Sequence, residues 1–153
     1  MRQSGMNIRS LQNSDLDRLL ELYRHLNVDD LPLPSRVTVD AIWEELCNNP
    51  SYRYFGGFIG EQLVCSCNLT VIPNLTRGCQ PYGLIENVVT HAAHRNQGFG
   101  KALLAHTLDA AWRAGCYKVM LMTGRKDPAT LQFYESAGFD KHAKQAFVAK
   151  PKA

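Results

Sequence analysis

The segment from Leu84 to Gly115 restricts this fold more than any other. It opens with a strand-like run, "LIENVVT", interrupted by the polar pair Glu86 and Asn87. A glycine-punctuated turn, "HRNQGFG", follows, and "KALLAHTLDAAWRAG" continues as a helix that Gly115 ends. A buried strand passing through a tight turn into a long helix calls for a sheet with a helix packed across it.

The flanking sequence supplies matching parts. "MNIRSL" predicts a first strand. Ser14 predicts the N-cap of a helix whose Leu16, Leu19, Leu20, Tyr23 and Leu26 share one stripe. After the loop "LPLPS", Thr38 is the expected cap of a second helix carrying Val39, Ile42, Trp43 and Leu46. "YRYFGGFIGEQLVCSCNLTVI" predicts two antiparallel strands that turn near Gly60 and Glu61. A loop from Pro73 to Gly83 leads into the strand at Leu84. "YKVMLM" is a further strand, and "DPATLQFYESAG" a short helix with Asp127 at the N-cap, Pro128 at its first position and Gly138 past its end. "KQAFVAK" is expected to close the sheet. The resulting order, β-α-α-β-β-β-α-β-α-β, predicts an α/β (α+β) fold with a mixed sheet, formed by residues 1–153 as a single domain.

Composition narrows the class. Charged residues make up 20% of the chain and hydrophobic ones 45%, an ordinary globular balance that excludes disorder. The net charge of +3 is mild and sits mostly in a basic tail, so no nucleic-acid partner is expected. Five cysteines without a CxxC pair predict reduced thiols rather than a zinc site or disulfide framework, with Cys65 and Cys67 on one face of a strand. The N-terminus lacks the apolar run of a signal peptide and no stretch is long enough to span a membrane, so the expected location is cytoplasmic. His91 and His94 stand three apart without a suitable third ligand, and no metal is expected.

Two familiar readings of the glycine turn fail. A P-loop needs GxxxxGK[ST], whereas Lys101 is followed by Ala102. A dinucleotide fingerprint needs a third glycine where Leu103 stands. What remains is either a close-packed strand-to-helix turn or an anion cradle: backbone amides at a helix N-terminus, flanked by Arg95 and Lys101.

Two motifs choose between these. Arg95-Asn96-Gln97-Gly98-Phe99-Gly100 matches Q/R-x-x-G-x-G/A, and Phe133, Tyr134, Gly138 and Phe139 match an aromatic-Tyr pair ahead of Gly-Phe. With "LIENVVT", they make the chain resemble the GCN5-related N-acetyltransferase (GNAT) family essentially from end to end. The resemblance implies that family's fold, with helices on both faces of the sheet, and acetyl-CoA as cosubstrate. The cosubstrate would lie where "LIENVVT" and "YKVMLM" part, with the backbone of Val88, Val89 and Thr90 along its pantetheine arm. Asn96, Gln97, Gly98, Phe99, Gly100 and Lys101 would present amides to the pyrophosphate, with Arg95 nearby. Asp127 stands where many members carry a cofactor-contacting Asn, and the helix-cap reading competes with that role.

The implied catalytic pair is Tyr134 and Glu86. Tyr134 would be the general acid, since a phenol with a pKa about 10 can share a proton with a departing thiolate while neutral at pH 7. Glu86 would either take the amine's proton or, with Asn87, bind the substrate. Histone-type members place the base two residues earlier, where this chain has Leu84. Glucosamine-6-phosphate N-acetyltransferases carry Glu-Asp where this chain has Glu86-Asn87, so their substrate does not transfer directly. Arg36 and Arg77 lie in segments that could meet a phosphorylated acceptor. The leading expectation is an N-acetyltransferase acting on a small-molecule primary amine by direct attack in a ternary complex, as a homodimer. The alternatives are a protein N-terminal or lysine acetyltransferase and a non-catalytic CoA-binding protein.

Overall fold

The stretch read as two antiparallel strands forms a long hairpin in the computed structural model, which describes residues 5–153. Strand β2 (Tyr52–Ile59) turns through Gly60 and Glu61 into β3 (Gln62–Ile72). Residues 1–4, on which the reading of the N-terminus partly rests, lie outside the described residues. By its internal contacts the chain forms two compact units, Met1–Leu121 and Met122–Ala153.

In the first unit, β1 (Met6–Ser10) pairs antiparallel with β2, and β4 (Tyr82–Thr90) antiparallel with β3. The short β5 (Val119–Leu121) runs parallel to β4, giving a five-stranded mixed sheet in chain order, β1-β2-β3-β4-β5. Helices α1 (Leu16–Tyr23) and α2 (Arg36–Asn48) cover one face, where Leu16, Leu19, Leu22 and Trp43 pack with Phe58, Leu63 and Val89. Helix α3 (Phe99–Arg113) covers the other, burying Leu103, Leu104 and Ala111. Truncating a fully buried leucine of such a core costs about 2–5 kcal/mol, so both layers hold the sheet strongly.

Alternation along the strands assigns the faces. Tyr54 meets Trp43 edge-on at 5.1 Å, while its neighbour Phe55 meets His106 of α3 at 5.1 Å. Cys65 and Cys67 share the α3 side as expected, with their sulfurs 3.9 Å from Phe99 O and 3.2 Å from Thr107 Oγ1. Burial pushes these thiols up to about 11 and about 12, so both stay protonated.

Both helix starts differ from expectation. Ser14 is not a cap: Gln12 opens a single turn at Asn13–Asp15, and Asp15 accepts the Gln12 amide at 2.8 Å. The buried Asp15 carboxylate also takes both Arg9 nitrogens, at 2.7 and 3.0 Å, which fixes that turn against β1. Helix α2 begins before Thr38, because Ser35 is the cap and accepts the Thr38 amide at 3.3 Å.

The second unit holds α4 (Pro128–Ser136), followed by Gly138 at φ +100. The expected closing strand at 144–150 does not form. Its large apolar residues, Phe147 and Val148, lie in solvent rather than in a sheet. They are 90% and 75% exposed.

Candidate active site

The sheet opens at one joint. Strand β4 pairs with β5 only over Gly83, Leu84 and Ile85. From Glu86 to Thr90 it keeps β3 on one side, while β5 has already ended at Leu121. Among the described residues, the other edge of that stretch has no strand partner. Backbone N–H and C=O groups left this way accept an extended ligand as a substitute strand.

A bulge reinforces the opening. Asn68 pairs with Glu86 and Ser66 with Val89, so Asn87 and Val88 together oppose Cys67 alone. Asn87 takes the extra length in a left-handed conformation, φ +53. Its side-chain amide donates to Asn68 Oδ1 at 3.2 Å. Glu86 lies half-buried beside it, directly across from Asn68 and therefore on the α1/α2 face.

At the end of β4 the chain turns into α3. A single turn at Ala92–His94 leads to Asn96 at φ +60 and Gly98 at φ +82, which stands as the N-cap. The first helical hydrogen bond runs from Ala102 N to Gly98 O. The amides of Phe99, Gly100 and Lys101 therefore precede the helical ladder at the positive end of a 15-residue helix. Amides left free at a helix N-terminus can receive an anion. Phe99 and Gly100 are buried, whereas Asn96, Gln97 and Lys101 are exposed.

Arg95 does something more specific than flank the cradle. Its Nε donates to Thr90 O at 3.2 Å and its Nη2 to His25 O at 3.0 Å, tying the end of β4 to the residues after α1. The His25 and His91 rings stack there at 4.0 Å. Burial, then the positive neighbours His25, His94 and Arg95, hold His91 below its ordinary value. Among the described residues no group of histidines, cysteines and carboxylates has metal-site geometry.

The second unit carries Tyr134 and Asp127. Tyr134 is half-buried on α4, its ring 5.0 Å from Phe133 and 6.4 Å from Phe139. Asp127 caps α4: Thr130 donates its amide at 3.0 Å and its hydroxyl at 2.9 Å. The Thr130 amide, first among its causes, holds the Asp127 carboxyl below the usual range. Arg36 is committed to carboxylates, with 2.6 Å contacts to both Asp17 and Asp40. It is therefore already neutralised.

Two residues escaped the sequence reading. Asn68 is read there only as part of the hairpin, yet it is a buried polar residue, 8% exposed, as is Ser66 two positions before it. Tyr23 reads as one member of a core stripe, but its hydroxyl lies beside the Asn87 side chain. A polar residue inside "VCSCNLTVI" was the available signal.

Comparison with known proteins follows the same lines. The model of the acetyltransferase (GNAT) family matches residues 16–139. A glucosamine 6-phosphate N-acetyltransferase of Trypanosoma brucei brucei is 32% identical over 152 residues, covering 92% of each chain. A solved structure of a proposed acetyltransferase from Agrobacterium tumefaciens str. C58 superposes with a TM-score of 0.89. It is 39% identical and covers 95% of this chain and 99% of that one. A Trypanosoma brucei acetyltransferase superposes with a TM-score of 0.78 at 31% identity, with the same coverage.

Proposed function

We propose that this chain, which belongs to the acetyltransferase (GNAT) family and is an acetyl-CoA-dependent N-acetyltransferase, acts on a primary amine of a small molecule by direct attack in a ternary complex. The observation that carries this reading is the free edge of β4 running into the amide cradle of α3. A thioester arm laid along Val88, Val89 and Thr90 would end its phosphates on the amides from Asn96 to Lys101. We read residues 1–153 as one acetyltransferase domain, supported by a family match that extends into both units.

The chemistry divides among this chain's own groups. A backbone amide on the open edge of β4 stabilises the negative charge that grows on the carbonyl oxygen during attack. Glu86 receives the proton that the arriving ammonium must lose, or aligns that ammonium with Asn87. As the C–N bond forms and the C–S bond breaks, Tyr134 gives its proton to the sulfur, while the nitrogen releases its second proton to solvent, from which the phenol is restored. The motif around Tyr134 supports that role. Asp127 acts as the cap of α4 and supports the Tyr134 helix from there.

The trypanosomal relative's substrate, an amino sugar phosphate, supports a small acceptor. It makes amino sugars the first class to try. A homodimer, from the family resemblance, and a cytoplasmic location, from the free cysteines, complete the reading; among the described residues no helix is long and apolar enough to cross a membrane. The test is a panel of amino sugars, amino acids, polyamines and peptides assayed for CoA release. Selective turnover of one small-amine class is expected. A flat response, or turnover confined to peptides, overturns the proposal.

A further inference from the structure

One residue of β4 is held in a backbone conformation that its neighbours avoid. Asn87 stands at φ +53 where the strand parts from β5, and it is the first residue of the bulge. Asparagine tolerates the left-handed region better than most side chains, yet it adopts that region readily only when something local holds it. Here the hold is visible. The Asn87 amide donates to Asn68 Oδ1 at 3.2 Å, and the buried Tyr23 hydroxyl lies beside the same side chain.

Packing alone does not explain these partners. Leu63 and Leu69 of the same strand are buried apolar residues, and an apolar residue would also fill position 68. A buried amide is unfavourable unless paired, and Asn68 accepts from Asn87, the residue of β4 with a left-handed backbone. Tyr23 lies on α1, and burial raises its pKa, so it works as a neutral hydroxyl.

We infer that Asn68 and Tyr23 are positioning residues for acetyl transfer: they hold Asn87 in its left-handed turn and so fix the direction of the Val88 amide on the open edge of β4. The inference rests on the reading that acetyl-CoA lies along that edge. A small error in aim is enough to matter, because misplacing a reacting group by about 1 Å can lower rates by about 100-fold.

The test combines variants with hydrogen exchange. Asn68→Ala is expected to lower kcat by about tenfold or more. Its Kd for free CoA should stay within about threefold of wild type, because the cradle amides before α3 are untouched. Glycine enters the left-handed region without help. Asn68→Ala combined with Asn87→Gly should therefore recover kcat by about fivefold over Asn68→Ala alone, whereas Asn68→Ala with Asn87→Ala should not. Tyr23→Phe provides an arm independent of position 68. It should lower kcat by about threefold with an unshifted kcat–pH profile. Wild-type turnover in Asn68→Ala, no advantage of glycine over alanine at position 87, or a shifted profile in Tyr23→Phe overturns the positioning role. Amide exchange in the wild type, with and without acetyl-CoA, separates the two claims. Protection appearing at Val88 to Thr90 upholds the underlying reading, and its absence removes that reading and this inference together. Protection present alongside wild-type turnover in Asn68→Ala removes the inference only.

Discussion

Replacing Gly98 by alanine isolates the cradle's geometry from its packing. Gly98 stands at φ +82 directly before α3, and a Cβ built there would meet no atom within 4 Å. Alanine therefore introduces backbone strain without a clash, worth about 1–2 kcal/mol in the left-handed region. That strain can surface in two ways. If the loop keeps its shape, the folded state loses the stability, and Tm falls by about 2–4 °C per kcal/mol for a chain of this size. If the loop relaxes, Tm holds, but CoA must restore the cradle on binding, which weakens Kd by about 5- to 30-fold.

Gly115 provides the matched control. It stands at φ +84 past the other end of α3, with the same open space around its Cβ position. Gly115→Ala carries similar strain and should lower Tm while leaving CoA affinity alone. Gly98→Asn should fall between wild type and Gly98→Ala, since asparagine tolerates the left-handed region. The assay is a thermal melt and a calorimetric titration with CoA under one buffer. Gly98→Ala with both Tm and Kd unchanged refutes the cradle argument. So does Gly115→Ala weakening CoA by the same factor.

Other outcomes follow from the remaining groups. Tyr134→Phe is expected to lower kcat by about tenfold or more with CoA affinity intact, and equal turnover of the two proteins would sink its role as acid. Glu86→Gln is expected to lower kcat/KM for the amine by about 100-fold if Glu86 takes the proton. Loss of the acidic limb of the pH–rate profile assigns it as base, a raised KM with that limb intact assigns it to binding, and an unchanged enzyme removes it from the site. Asp15→Asn should destabilise the fold by about 1.5–3 kcal/mol at pH 7, since it weakens charged hydrogen bonds from Arg9. The Arg9 contact holds the Asp15 pKa below its unfolded value, so this contribution is full above the unfolded pKa of about 4 and lost as pH falls through the folded one. The gap between melts of wild type and variant should start to narrow near pH 4 and close beneath the folded pKa. A gap that persists there points to shape rather than charge.

The legible parts of this molecule were those written in local pattern. Gly98 and Gly100 ahead of an apolar run predicted the helix mouth, and Asp127-Pro128 predicted the start of α4, because each rests on backbone geometry within one turn. The second helix is capped locally by Ser35, one turn before the expected Thr38, whereas the first start was shifted by a tertiary demand. Asp15 is drawn to Arg9 of β1, and no pattern within the helix announces that pair. Residues 144–150 read as a strand by composition, but they stay irregular with Phe147 and Val148 exposed. The bulge at Asn87 was invisible for the same reason as the Asp15 pair: its neighbours, Asn68 and Tyr23, lie on two other elements. The polar pair inside "LIENVVT" marked the place without saying which way the backbone turns.

The short joint between β4 and β5 also bears on how the chain assembles. Strands β2 and β3 meet through a two-residue turn and can pair as soon as both exist. The β4–β5 contact instead waits for all of α3 to fold across the sheet, and three residue pairs are the return for closing that loop. β5 should therefore dock after the β2–β3 hairpin has formed. In the finished protein its amides should be among the first in the sheet to exchange with solvent.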